Sequence, residues 1–178
     1  MTDPKLRVLI PAGRIQARIR ELGEQISRDY PDGKLHMICI LKGAVFFMTD
    51  LARSLTIDVS LDFMGISTYG RGKTTSGEVK VTKDLDASLE GDDVLIVEDI
   101  VDSGVTLNYL FHLLEQRKPR SIRIAALLDK PERRLRPVHV TYVGFQIPDE
   151  FVVGYGLDYA ERYRNLDDLC VLGGEATG

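Results

Sequence analysis

The chain has 178 residues, of which 44% are hydrophobic and 28% are charged, and its formal net charge is −4. These values exclude a mainly disordered chain, and they exclude a broad basic surface that would recruit nucleic acid. We see neither a signal peptide nor the roughly 18 apolar residues of a membrane span, so we expect a cytoplasmic protein that binds no membrane. Cys39 and Cys170 lie in apolar runs, which favours buried thiols in a reducing compartment over a disulfide.

Helical and strand patterns alternate along the chain. Apolar residues at helical spacing predict three helices, and short apolar or alternating runs predict strands between them. The predicted order is helix 15–26, strand 37–41, helix 45–55, strands 59–63, 79–81 and 94–97, helix 107–114, and strands 122–128, 140–143 and 151–153. This alternation indicates one α/β domain over residues 1–178 with a mainly parallel sheet, whose ligands bind at the carboxyl ends of the strands.

The segment 94–107 carries most of the functional signal, because an apolar strand runs into two adjacent acids and a tight loop that opens a helix. Free backbone N–H groups at the helix start, the hydroxyls of Ser103 and Thr106, and the close approach permitted by Gly104 suit one phosphate monoester. Glu98 and Asp99 suit ribose hydroxyls or hydrated Mg²⁺. The competing interpretation is an ordinary helix N-cap, but a cap leaves the two acids unexplained.

This pattern closely resembles the phosphoribosyl-pyrophosphate-binding motif of type I phosphoribosyltransferases. The resemblance implies their fold, a mainly parallel twisted sheet flanked by helices, with a small hood and a flexible lid loop. It also implies phosphoribosyl pyrophosphate as a substrate and Mg²⁺ as a cofactor. It assigns the 5-phosphate to Ser103, Gly104, Val105 (through its backbone) and Thr106. It assigns the ribose hydroxyls to Glu98 and Asp99.

Two further segments resemble the hypoxanthine-guanine members of this family. Lys42-Gly43 resembles their pyrophosphate loop, which exposes backbone N–H groups, often through a cis peptide; the competing interpretation is a surface lysine before a helix. The polar segment 67–77 predicts a mobile loop between two strands. Its first residues resemble the start of the family's lid loop and are Ser67, Thr68, Tyr69 and Gly70. A nucleoside-triphosphate P-loop is rejected here, because Ser67 stands where that motif requires glycine.

The carboxyl-terminal part carries the strongest resemblance, since residues 143–159 match nearly the full signature of the hypoxanthine-guanine enzymes. The resemblance implies that Phe151 stacks on the purine and that Val152 binds it through its backbone, whereas the competing interpretation of both is plain strand core. It implies that Lys130 donates to the 6-oxo group and that Arg164 contacts pyrophosphate. It further places Asp158 near the purine and, with Glu98 and Asp99, at the metal.

The implied reaction is purine salvage, in which hypoxanthine, and in our expectation also guanine, receives the phosphoribosyl group at N9 and forms IMP or GMP. Asp102, which also belongs to the phosphoribosyl-pyrophosphate loop, is the candidate proton acceptor. The family implies a homodimer or homotetramer. Two alternatives stay open: a regulator that senses phosphoribosyl pyrophosphate without turnover, and the same reaction on another base such as xanthine, orotate or uracil. The balance between hypoxanthine and guanine also stays open.

Overall fold

A computed structural model of the protein describes residues 6–68 and 79–173. The helices are α1 (Ala12–Asp29), α2 (Val45–Ser54) and α3 (Val105–Glu115), with a 3-10 turn at Pro131–Arg133. The strands are β1 (Leu6–Ile10), β2 (Lys34–Leu41), β3 (Asp58–Thr68), β4 (Val79–Lys83), β5 (Asp93–Val101), β6 (Ser121–Asp129), β7 (Tyr142–Gln146), β8 (Val152–Val153) and β9 (Leu169–Leu172).

The main sheet has six strands in the order β4-β3-β2-β5-β6-β7. Strands β3, β2, β5, β6 and β7 run parallel, and β4 is antiparallel at the edge. A second, antiparallel sheet has the order β1-β9-β8 and pairs Leu6 with Leu172. The mainly parallel α/β fold is therefore confirmed, and the small sheet corresponds to the hood that the resemblance implied.

Two hydrophobic clusters lie on opposite faces of the main sheet. One contains the inward side chains of α1 and α2, and the other contains those of α3. The predicted stripe of α1 is fully buried, and each such aliphatic side chain contributes about 1.5–3 kcal/mol when it leaves water; its members are Ile15, Ile19, Leu22 and Ile26. Asp168 accepts a hydrogen bond from the Ala12 N–H at 2.7 Å, so a residue far along the chain caps the start of α1.

Several predicted boundaries were wrong. Strand β3 continues through Ser67 and Thr68, which were predicted to begin a loop, because both pair with β4 in an antiparallel ladder. Tyr69 and Gly70 lie outside the described residues. Strand β7 was predicted at 140–143 but begins at Tyr142, where its pairing with β6 begins. Strands β1 and β9 were not predicted, since they form through long-range pairing: β1 pairs with β9, and β9 pairs with both β1 and β8.

The burial of β3 also differs from the predicted alternation. Leu61 is 49% exposed, whereas its neighbour Asp62 is buried. The Asp62 carboxylate accepts hydrogen bonds from the backbone N–H groups of Asp86 and Ala87, which compensates its burial. None of the described helices is long and apolar enough to cross a membrane.

Candidate active site

Three parallel strands, β2, β5 and β6, bring the predicted site residues to one edge of the main sheet, the edge formed by the carboxyl ends of its parallel strands. Lys42 follows β2, Glu98 and Asp99 lie in the last part of β5, and Lys130 follows β6. The register keeps these strand ends together, because Val101 pairs with Asp129 and the Lys130 N–H donates to the Val101 carbonyl at 2.9 Å. This is the edge where ligands bind in open α/β sheets.

The acid pair Glu98 and Asp99 lies half-buried at this edge. Burial, and secondly the negative charge of Asp99, raises the pKa of Glu98 well above its ordinary value. Burial also raises the pKa of Asp99 to about 6, although the backbone N–H of Ile100 and the charge of Arg164 oppose the change. Two partly desolvated carboxyl groups therefore lie side by side, where hydroxyl donors or a cation would stabilise their ionised forms.

The loop after β5 forms the predicted phosphate cradle at the start of α3. Gly104 is the N-cap residue with φ +78°, a conformation that other residues rarely adopt, and an added Cβ would lie 2.6 Å from the Arg136 carbonyl oxygen. The Ser103 hydroxyl accepts a long hydrogen bond, 3.4 Å, from the Val105 N–H. Thr106 lies half-buried in the first turn. The cap is thus a glycine without a side chain, which leaves the helix start open to an anion.

Asp102 lies in the same loop, and its side chain is 43% exposed. An arginine that the sequence analysis did not single out contacts it: Arg133 Nε lies 2.8 Å from Asp102 Oδ1. Arg133 Nη1 also lies 3.1 Å from Asp149 Oδ2. No local sequence signal marks Arg133, because a charged surface segment is the ordinary reading of residues 129–136.

The residues assigned to pyrophosphate also lie together. The Leu41–Lys42 peptide bond is cis. Lys42 Nζ donates to Glu161 Oε2 at 3.2 Å, and Arg164 Nη2 lies 3.0 Å from Asp158 Oδ1 and 3.2 Å from Glu161 Oε1. The hydrogen bond from Lys42, followed by that from Arg164, lowers the pKa of Glu161, and the positive charges of both residues act in the same direction. Glu161 is a second site residue that the sequence analysis missed.

Gly43 is required by close packing at this point. An added Cβ would lie 1.7 Å from Asp99 Oδ2, so the loop after β2 lies directly against the acid pair. Gly156 contacts the same loop, since its own added Cβ would lie 2.1 Å from the Gly43 carbonyl oxygen. The two glycines therefore let the backbone of the predicted pyrophosphate loop approach both neighbours.

On the side assigned to the purine, Lys130 is buried, with only 7% of its surface exposed. Its Nζ donates to the Glu150 carbonyl at 2.7 Å and lies 3.6 Å from Asp149 Oδ1. Phe151 is 53% exposed, and its ring meets Tyr159 edge to face at 5.7 Å. Val152 is buried in β8 and packs in the first hydrophobic cluster. Strand core is therefore correct for the Val152 side chain and not for Phe151.

The metal residues predicted from the resemblance do not form a cage made by the protein alone. Within residues 6–68 and 79–173, no group of three or more histidine, cysteine or acidic side chains is placed to hold a metal ion. Asp158 instead faces Arg164 and accepts the Glu161 N–H at 2.8 Å. Mg²⁺ ordinarily binds through one or two carboxylates together with substrate oxygens, and Glu98 with Asp99 fits that arrangement.

Known proteins match this chain closely. The model of the phosphoribosyl transferase domain matches residues 11–160. The chain is 51% identical to the hypoxanthine-guanine phosphoribosyltransferase of Bacillus subtilis strain 168, covering 93% of this chain and 92% of that protein. It is also 51% identical to the bifunctional protein TilS/HprT of Listeria innocua, with the same share of this chain matched, but it spans only 26% of that longer protein.

Solved structures agree with these relatives. The crystal structure of a hypoxanthine phosphoribosyltransferase from Staphylococcus aureus has a TM-score of 0.92 and 46% sequence identity to this chain, covering 97% of this chain and 94% of that one. Sequence and fold therefore agree over nearly the whole length. The chain belongs to the phosphoribosyl transferase domain family and, within it, to the hypoxanthine-guanine phosphoribosyltransferases.

Proposed function

We propose that this protein transfers the 5-phosphoribosyl group from phosphoribosyl pyrophosphate to N9 of hypoxanthine, and of guanine, forming IMP or GMP and pyrophosphate in purine salvage. The observation that carries the proposal is the meeting of a phosphate cradle, an acid pair and a buried lysine at one sheet edge in a chain of this family. The names of the relatives indicate hypoxanthine and guanine as the purines, and the site contains groups that suit both a purine and phosphoribosyl pyrophosphate.

Lys130 is the proposed reader of the purine 6-position. An ammonium group is a donor only, so it suits the 6-oxo acceptor of hypoxanthine and guanine and opposes the 6-amino donor of adenine. The ammonium of the buried Lys130 donates to the Glu150 carbonyl in this structure. If it turned from this carbonyl to the base, adenine would offer it no acceptor in exchange. Discrimination against adenine by a factor of about 10⁴ is expected for a site of this kind. Phe151, exposed beside Tyr159, is the proposed stacking partner, with the Val152 backbone and Asp158 at the edge of the base.

Asp102 is the proposed proton acceptor. In the reaction the bond between ribose C1 and the pyrophosphate oxygen breaks, the bond between C1 and purine N9 forms, and the purine loses one proton. A carboxylate beside the phosphate loop is available to receive that proton, and the 43% exposure of Asp102 leaves room for a base to approach it. The Asp102→Asn variant keeps the shape of the side chain, so we expect it to lower kcat while the protein stays folded.

The leaving pyrophosphate gains negative charge as the bond to C1 breaks. The proposed groups that bind it are Lys42, the backbone N–H groups around Gly43, and Arg164. The side chains of Lys42 and Arg164 both contact the carboxylate of Glu161 in this structure.

The proposed metal residues are Glu98, Asp99 and Asp158. When bound, Mg²⁺ supplies positive charge to the pyrophosphate oxygens. Glu98 and Asp99 also receive the ribose hydroxyls, and Ser103, Gly104, Val105 and Thr106 hold the 5-phosphate.

Three further points complete the proposal. We propose that residues 1–178 form one phosphoribosyltransferase domain, since both hydrophobic clusters pack on the same six-stranded sheet. The segment that follows β3, beyond Thr68 and outside the described residues, is the proposed lid that keeps water from the reacting sugar. A homodimer or homotetramer in the cytoplasm fits the family resemblance, and the free, buried thiols of Cys39 and Cys170 suit a reducing compartment.

The test is a panel of bases with phosphoribosyl pyrophosphate and Mg²⁺, with nucleotide formation followed by absorbance. The panel is hypoxanthine, guanine, xanthine, adenine and uracil. We expect turnover of hypoxanthine and guanine, none of adenine, and loss of activity when Mg²⁺ is chelated. Tight binding of phosphoribosyl pyrophosphate with no turnover of any base would instead indicate a regulator that senses this ligand.

A further inference from the structure

Arg133 contacts two carboxylates that belong to different loops of the candidate site. Its Nε lies 2.8 Å from Asp102 Oδ1, and its Nη1 lies 3.1 Å from Asp149 Oδ2 and 3.4 Å from Asp149 Oδ1. Asp102 lies in the phosphate loop after β5, whereas Asp149 follows β7 on the side assigned to the purine. One guanidinium therefore joins the two halves of the site.

The backbone around Arg133 fixes the position from which its side chain reaches these loops. Arg133 ends the 3-10 turn Pro131–Arg133, in which its N–H donates to the Lys130 carbonyl at 3.1 Å. Pro131 is the first residue of this turn, and its ring restricts the backbone angle φ there. Lys130, the proposed purine reader, immediately precedes the turn, and its Nζ lies 3.6 Å from Asp149 Oδ1. Asp149 is thus shared between Arg133 and Lys130.

Arg133 contacts only one of the two carboxylate oxygens of Asp102, Oδ1. Oδ1 is buried beneath Arg133, in an ion pair that is short but not aligned as a hydrogen bond. The side chain as a whole is nevertheless 43% exposed, so its exposed surface belongs to its other atoms. Within residues 6–68 and 79–173, no side chain or backbone group forms a hydrogen bond or an ion pair with Asp102 Oδ2. An ion pair to one carboxylate oxygen leaves the other oxygen available to a substrate.

We infer that Arg133 is a positioning residue for phosphoribosyl transfer, which holds Asp102 by Oδ1 so that Oδ2 faces the purine proton, and which is itself held by Asp149. The inference rests on the proposed function, because it assigns Asp102 the role of proton acceptor. Arg133 does not contact the reacting atoms. Its effect on the rate passes through Asp102, and this dependence is the property to be tested.

The first experiment measures steady-state kinetics of wild type, Arg133→Gln and Arg133→Lys with hypoxanthine and phosphoribosyl pyrophosphate. We expect Arg133→Gln to lower kcat about tenfold, a part of the 10²–10⁴ that a proton acceptor supplies. KM for phosphoribosyl pyrophosphate should stay within about twofold, because the proposed phosphate groups are intact. Arg133→Lys should restore only part of kcat, since an ammonium lacks the planar fork that reaches both carboxylates.

The control is Arg20→Gln, which removes the same charge from an exposed position on α1 and should leave both constants unchanged. Thermal unfolding accompanies each variant. Arg133 is half exposed, and an ion pair of exposed groups contributes little to stability, so Tm should hardly change in Arg133→Gln. A low kcat at an unchanged Tm separates positioning from a structural role.

The second experiment repeats Arg133→Gln in the Asp102→Asn background. If Arg133 acts through Asp102, the second substitution should cost nothing further there, and the two effects should be strongly non-additive. An equal loss in both backgrounds, or wild-type kcat in Arg133→Gln, would overturn the inference while the proposed function stands. Absence of turnover in the wild type would overturn the proposed function, and the role of Arg133 with it.

Discussion

Lys42 Nζ donates a hydrogen bond to Glu161 Oε2 at 3.2 Å, and the two residues lie 119 positions apart in the chain. The other oxygen of Glu161 lies 3.2 Å from Arg164 Nη2. The carboxylate thus lies between the two cations that we assign to pyrophosphate. Glu161 is 65% exposed, so these contacts are with a side chain that is free to leave.

The first prediction concerns competition between Glu161 and pyrophosphate. An anionic carboxylate on Lys42 and Arg164 must be displaced before pyrophosphate oxygens bind them. We therefore expect Glu161→Gln to lower KM for phosphoribosyl pyrophosphate about two- to fivefold, within the modest range of exposed ion pairs. Glu90→Gln, at an exposed position, is the matched control. A higher KM in Glu161→Gln would mean that Glu161 arranges the two cations for the ligand instead of competing with it.

The second prediction concerns Gly43. An alanine Cβ at this position would lie 1.7 Å from Asp99 Oδ2, so the loop or the acid pair must move. We expect Gly43→Ala to lower kcat/KM by at least about 100-fold, since displacements near 1 Å at a reacting centre have effects of that size. The free energy of unfolding should fall by about 1–3 kcal/mol, as for overpacking.

Gly13→Ala is the matched control for this change. Nothing lies within 4 Å of an added Cβ at Gly13, which belongs to α1. Alanine should raise the free energy of unfolding there by about 0.4–1 kcal/mol, because it restricts the unfolded chain. Kinetics and urea unfolding of both variants give the comparison, and wild-type activity in Gly43→Ala would contradict the close packing of the loop on Asp99.

The third prediction concerns Lys130. Replacing this buried lysine by alanine removes the proposed donor to the 6-oxo group and leaves the Glu150 carbonyl without its 2.7 Å partner. We expect kcat/KM with hypoxanthine to fall about 100-fold or more, with the Kd of phosphoribosyl pyrophosphate changed less than about twofold. Lys34→Ala is the control, since Lys34 is exposed at the opposite end of β2. Equal losses for both substrates would argue that Lys130 does not read the base.

The fourth prediction concerns pH and Cys39. Burial, followed by the charges of Glu98 and Asp99, raises the pKa of this thiol from its ordinary value of 9.0 to about 12. Because the thiolate is the reactive form, native Cys39 should resist alkylation by iodoacetamide at pH 8.5, whereas the urea-unfolded chain should be labelled readily. Peptide mapping by mass spectrometry distinguishes Cys39 from Cys170, which is also buried.

The raised pKa of Cys39 also makes the stability of the fold depend on pH. The folded state holds the Cys39 proton more tightly than the unfolded chain does. Its contribution to stability is therefore fully present below about pH 9 and is lost as pH rises from there towards 12. The Cys39→Ala variant should show a weaker loss of stability over that range. Rapid labelling of native Cys39 at pH 8.5 would contradict its burial.

The amino-acid sequence by itself determined the features whose cause is local. The stripe from Ile15 to Ile26 specifies the buried face of α1, because residues three and four apart share one side of a helix. The apolar run before Glu98 specifies a central strand, and the loop to Thr106 specifies a helix start suited to phosphate. The resemblance of these segments to known motifs then implied the family, which the comparisons confirmed.

Only the tertiary structure decided which distant side chains share the site. The pairs Arg133 with Asp102 and Glu161 with Lys42 depend on how loops from different strands meet at the sheet edge, and no spacing along the chain encodes that meeting. The same reason explains β1 and β9: β1 pairs with β9, with Leu6 opposite Leu172, and β9 also pairs with β8. Local propensity specifies single elements, whereas contacts between distant segments form only when the whole chain packs.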